Sequence, residues 1–78
     1  MSLMTRVESE RRRRGWNQTT LGYHAKLSQG DISLIERRRL IPTPTLAKRL
    51  ARALGIPPDA LLEEVTTRDS HGVPAPAA

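Results

Sequence analysis

Residues 17–36, NQTTLGYHAKLSQGDISLIE, carry two helix-start signals eleven residues apart, and that spacing leaves the chain few choices. Asn17 stands where a side-chain oxygen accepts a backbone N–H two or three residues on. Trp16 before it and Leu21 after it occupy the two positions of a hydrophobic staple. Ser28 repeats the pattern, with Asp31 at the capping-box position and Leu27 and Ile32 as the staple pair. Leu21 and Ala25 share one face of the first helix; Ile32 and Ile35 share one face of the second. Lys26-Leu27-Ser28 leaves room for a sharp turn only, so the two helices must cross steeply.

Around this pair the sequence predicts three more helices, an all-α chain. A helix from about residue 3 or 4 to 14 stops at Gly15, a good C-terminal breaker. The paired helices cover about 18–25 and 29–37. A fourth follows Thr43 as cap, with Pro44 at its first position, and runs to Leu54 before Gly55. Its Ala47, Leu50, Ala51 and Leu54 make the cleanest amphipathic stripe in the chain. A fifth starts near Pro58 and carries Leu61, Leu62 and Val65, with Ile56 and Leu61 as a third staple pair. No stretch of period two suggests a strand. Met1-Ser2-Leu3, ahead of a second methionine, reads as a cloning leader. Residues 66–78, TTRDSHGVPAPAA, have little to bury and are expected to be a flexible tail beside a domain spanning 1–65.

Composition bounds the rest. Seventy-eight residues make one domain, near the lower size at which a single core is stable. With one Trp, one Tyr and no Phe, that core must be aliphatic. The absence of cysteine points away from a secreted disulfide scaffold. No apolar run approaches the roughly 18 residues of a membrane span, nor is there a signal-peptide core, so a cytoplasmic location is expected. Charge is uneven: residues 1–55 hold twelve Lys and Arg against four acids, +8, and residues 56–78 one Arg against four acids, −3. A basic body of this kind suits a face turned toward phosphates.

The chain resembles the helix-turn-helix family of lambdoid phage repressors, Cro proteins and XRE-type bacterial regulators. The residues that carry the likeness, over about 5–62, are RGWNQ, then L-x-x-x-A, LSQ-x-x-IS-x-IE, Pro42, LAKRLARALGI and P-x-x-LL. The resemblance implies a compact five-helix lambda-repressor-like domain whose second helix of the pair enters the DNA major groove. It implies that Gln18 grips a phosphate, that Gln29 is the first base-reading residue, and that Arg11 and Glu36 form an ion pair. Three departures stand out. Lys26 sits where the family's turn usually has glycine, Gly30 replaces a commonly polar residue, and Arg37-Arg38-Arg39 replaces a glycine-containing loop.

Each candidate residue has a plain rival role. Gln29 is expected to pair bidentately with adenine, against the alternative of an exposed surface amide. Gly30, Asp31, Ser33 and Leu34 complete the expected base-reading face. Asp31 either caps its helix or accepts from a cytosine amino group. Leu34 touches a thymine methyl, faces solvent or meets a second copy. Phosphate contacts are expected from Asn17, Gln18, Ser28, Arg37, Arg38 and Arg39, the arginines against the alternative of a solvated face. Arg12, Arg13 and Arg14 are placed to favour the negative end of their helix dipole. His24 and His71 are far apart with no cysteine to join them, Glu63 and Glu64 diverge, and Tyr23, Ser28 and Ser33 lack a base. No catalytic, cofactor or metal site is therefore expected.

The function expected is sequence-specific binding of double-stranded DNA by a transcriptional regulator, a repressor, acting as a homodimer on an inverted repeat. The resemblance puts the dimer surface on the fifth helix and the segment before it. Two alternatives remain open: an antitoxin or controller protein that also binds a protein partner, and a protein-interaction adaptor on the same fold.

Overall fold

In a computed structural model describing residues 3–66, the order is β1 (Leu3–Thr5), α1 (Arg6–Arg13), α2 (Gln18–Ala25), α3 (Gln29–Glu36) and α4 (Pro44–Leu54), then a 3₁₀ turn (Pro58–Ala60) and β2 (Glu64–Thr66). Among the described residues there are thus four α-helices and a two-stranded antiparallel sheet, not five helices and no strand. The tail expected over 66–78 lies, apart from Thr66, outside the described residues.

Local chemistry explains where the helices start. The Thr5 hydroxyl accepts the Glu8 N–H at 3.2 Å, so α1 cannot begin at residue 3 or 4. Asn17 Oδ1 accepts the Thr20 N–H at 2.7 Å, Ser28 Oγ the Asp31 N–H at 3.0 Å and Thr43 Oγ1 the Leu46 N–H at 3.3 Å. Each satisfies one of the first N–H groups that a helix leaves without an internal partner.

All four helices stop on a residue in the left-handed region: Gly15 (φ 71°), Lys26 (φ 61°), Arg38 (φ 62°) and Gly55 (φ 69°). After α3 the Arg39 N–H reaches the Leu34 carbonyl at 2.8 Å and the Arg38 N–H the Ile35 carbonyl at 3.0 Å, a Schellman closure. Lys26 and Arg38 adopt, with a Cβ, a conformation that costs an L-residue about 1–2 kcal/mol. The turn between α2 and α3 closes tightly because of Gly22. A Cβ at that position would lie 2.5 Å from the Leu27 carbonyl oxygen, which the backbone at Leu27 cannot vacate without opening the turn.

The helices enclose one aliphatic core of Val7, Leu21, Ala25, Ile32, Ile35, Leu50, Ala51, Leu54 and Leu61. Every helix contributes, and the amphipathic stripe of α4 supplies the central layer. Truncating Leu50 or Leu54, both 0 % exposed, removes about 2–5 kcal/mol, a large share of a small domain's stability.

The expected fifth helix fails for a tertiary reason. The Leu61 carbonyl accepts the Val7 N–H at 3.0 Å and the Glu63 carbonyl accepts the Arg6 N–H at 2.8 Å. Those acceptors serve the unpartnered start of α1, so they are not available to a helix running through residue 65. The chain extends instead, and Val65 pairs with Met4, both 8 % exposed. Leu3, read from the sequence as leader, is the first residue of β1. Leu61 and Val65 close the chain's own core, so they do not form the helical dimer face expected of this segment.

Candidate functional site

The α2–α3 pair presents the polar N-terminal tip of α3 at the surface. Gln29, Gly30 and Leu34 are exposed, and Asp31 and Ser33 half-buried. At Gly30 the surface is open: a Cβ there would have only the Ser28 hydroxyl within 4 Å. The Ser28 hydroxyl caps α3, but the Asp31 carboxylate makes no return bond to the Ser28 backbone among the described residues. The Asp31 side chain is thus not committed to a capping box.

A continuous run of hydrogen bonds leads from the interior to this tip. Arg11 Nε donates to Glu36 Oε2 at 2.6 Å and Arg11 Nη2 to Glu36 Oε1 at 3.1 Å, a bidentate pair whose side chains are 11 % and 3 % exposed. Arg11 Nη1 also donates to the Trp16 carbonyl at 2.9 Å, which fixes the guanidinium plane. Gln18 Nε2 donates to Glu36 Oε1 at 3.1 Å, and Gln29 Nε2 donates to Gln18 Oε1 at 2.7 Å. The burial of the first pair makes it costly to break. The rotamer of Gln18 follows from the position of Glu36, and the amide of Gln29 follows from Gln18. One Nε2 hydrogen of Gln29 and its Oε1 stay free, the donor and acceptor needed for the N7 and N6 edge of adenine.

Phosphate-sized anions find donors beside this tip. Asn17 satisfies the Thr20 N–H, leaving the Gln18 and Thr19 N–H groups at the positive end of α2 without an intrahelical acceptor. Ser28 leaves the Gln29 and Gly30 N–H groups of α3 in the same condition. On the far side of α3, Arg37 and Arg39 are exposed and make no ion pair among the described residues. Arg38 differs: its Nη1 donates to the Leu62 carbonyl at 2.8 Å and its Nη2 lies 4.0 Å from Glu64. The loop after α3 is thereby tied to the segment leading into β2.

The arginines that end α1 serve α1 itself and its neighbour. Arg12 pairs with Glu8, and Arg13 and Arg14 pair with Glu10 at 3.2 and 3.0 Å. Arg14 also donates to the Leu54 carbonyl at the end of α4 and lies 5.7 Å over the Trp16 ring. Trp16 in turn stacks on His24 at 4.4 Å.

Three contributors escape a reading of the sequence alone. Gly22 shapes the turn, the Trp16 carbonyl holds Arg11, and the Gln18–Gln29 link orders the tip. A glycine inside an expected helix is the one local sign available; the other two depend on contacts across the fold. Among the described residues no helix is long and apolar enough to cross a membrane, and no group of three or more His, Cys, Asp and Glu could hold a metal ion.

A family model described as a helix-turn-helix domain matches residues 3–65. No curated protein and no solved structure was found to match the chain.

Proposed function

The chain belongs to the helix-turn-helix domain family, a DNA-binding class, and from that premise we propose that it is a sequence-specific transcriptional repressor that binds an inverted repeat as a homodimer. The observation that carries the base-reading part is the run Arg11–Glu36–Gln18–Gln29. It holds one amide at the open tip of α3 before any DNA arrives, which reduces the ordering cost of binding.

In this reading α3 enters the major groove with Gln29 leading and pairing with adenine. Gly30 contributes close backbone approach and no side-chain contact. Asp31 accepts from a cytosine amino group, Ser33 lies one turn further along the groove, and Leu34, 41 % exposed, meets a thymine methyl. The Gln18 and Thr19 N–H groups receive a phosphate, aided by the second amide hydrogen of Gln18 and by Asn17. Ser28, with the free N–H groups of Gln29 and Gly30, faces the opposite strand. Arg37 and Arg39 meet phosphate directly. Arg38, held by Leu62, acts as the anchor of that loop, a change from the direct phosphate contact that its place in an arginine run suggests.

One small domain covers few base pairs, so two copies are needed for useful specificity. Their half-sites would stand roughly 34 Å apart or a multiple of that, and a bound dimer represses by occupying promoter DNA.

Selection of bound duplexes from a randomised pool near physiological salt tests this directly. Enrichment of an inverted repeat is the expected result. Retention of DNA with no enriched motif would reduce the protein to a non-specific basic binder. No retention at all would remove the DNA reading and favour the adaptor or the partner-binding controller.

A further inference from the structure

The basic residues of this protein divide into two populations. Of the twelve Lys and Arg within residues 1–55, Arg6, Arg11, Arg12, Arg13, Arg14 and Arg38 each have a carboxylate within 4.0 Å. The other six have none among the described residues. Two of these, Arg37 and Arg39, belong to the loop after α3. The remaining four, Lys26, Lys48, Arg49 and Arg52, line a single cleft of about 390 Å³ between the C-terminal end of α2 and α4.

Both walls of this cleft are free of acidic residues: α2 reads QTTLGYHA and α4 reads PTLAKRLARAL. Thr45, Lys48, Arg49 and Arg52 follow the i, i+3, i+4, i+7 spacing, so they form one stripe along α4, about 10.5 Å from end to end at the helical rise. Lys26 faces that stripe from the turn, beside His24. Its backbone sits at φ 61°, where glycine would be unstrained, and its ammonium makes no hydrogen bond or ion pair among the described residues. Strain retained without a structural return is a sign of use elsewhere. Four like charges around one concavity repel each other until an anion enters. Along α1 every arginine has a carboxylate partner, whereas these four cations stand together with none among the described residues.

We infer that the cleft between α2 and α4 is a phosphate-binding site, separate from the base-reading tip of α3. Two guanidinium groups on the stripe give the planar forks that suit phosphoryl oxygens, and the lysines add point charges. The volume falls in the range of small-ligand sites, and the length of the stripe suits an anion with several phosphoryl groups in a row. That chemistry is offered by consecutive backbone phosphates of the bound duplex or by a free polyphosphate. The site does not depend on the DNA reading, because the first test uses no DNA.

The test is calorimetric titration of the full chain with inorganic tripolyphosphate, at fixed ionic strength, for three proteins. The wild type is expected to show one saturable site. The cleft variant Lys48→Gln/Arg52→Gln is expected to bind at least tenfold more weakly. The loop variant Arg37→Gln/Arg39→Gln, which removes the same charge, is expected to bind like the wild type. All four positions are exposed, and coincident thermal melts establish that each variant is folded. Equal binding by all three proteins, or equal loss in both variants, overturns the site, since the binding would then follow net charge. The salt dependence of DNA binding identifies the source. A cleft variant whose log–log slope is shallower by about 2 has lost contacts to two or so duplex phosphates. A cleft variant with an unchanged slope but lost tripolyphosphate binding has lost a free ligand. A chain that binds tripolyphosphate in the cleft but retains no DNA overturns the DNA reading and leaves the site standing.

Discussion

Gln29 gives one amide hydrogen to Gln18 and keeps the other, with its oxygen, for a base. Replacing it by alanine should cost about 1–3 kcal/mol on the selected site and almost nothing on random DNA. Equal losses on both, measured by titration at one salt concentration, would take the base-reading role from it. Deeper in the same run, Arg11 and Glu36 are paired out of water. Arg11→Ala strands the Glu36 carboxylate and should lower stability by about 3–5 kcal/mol. Urea unfolding reads this, and a loss under about 1 kcal/mol would mean the carboxylate is rescued by water. Because Gln18 leans on the same carboxylate, this variant should also lose part of the site preference that Gln29 confers, even at temperatures where it is fully folded.

Each helix among the described residues ends by turning left-handed, two on glycine and two on a cation. Lys26→Gly relieves the turn between α2 and α3 and should raise stability by about 1 kcal/mol, or roughly 4–8 °C in Tm for a domain of this size. Arg38→Gly relieves the same strain but gives up the bond to the Leu62 carbonyl, itself worth about 1 kcal/mol, so its Tm should hardly move. Parallel thermal melts check both, and a large drop for Lys26→Gly would show that its side chain stabilises the turn. The same elements divide what the chain makes legible from what it hides. The caps Asn17, Ser28 and Thr43 act on N–H groups three residues away, so they can be read locally, as can the stops at Gly15 and Gly55. The stop at Arg38 is hidden inside an arginine run that looks like a phosphate clamp. The expected fifth helix has helical spacing, yet the carbonyls of Leu61 and Glu63 are claimed by α1 from the other end of the chain. For the candidate site, the residues themselves are visible in the sequence; the hydrogen bonds that order them, between positions 11, 18, 29 and 36, are not.

The whole molecule is a bundle of locally connected helices closed by a sheet that joins the two ends of the described chain. Met4 and Val65 meet across β1 and β2, residues nearly as far apart in sequence as that chain allows. Helices and their tight turns assemble from near neighbours, whereas this pairing must wait for a long loop to close. The sheet is therefore expected to be absent from the transition state for folding. Val65→Ala, which thins a contact between two nearly buried side chains, should leave the folding rate in stopped-flow experiments nearly unchanged and put its whole destabilisation into faster unfolding. An equal slowing of folding would place the ends in the nucleus. If the ends do join last, the clasp of β1 and β2 governs the lifetime of the folded protein, and the capped helices at its centre govern how soon a new chain is ready to bind.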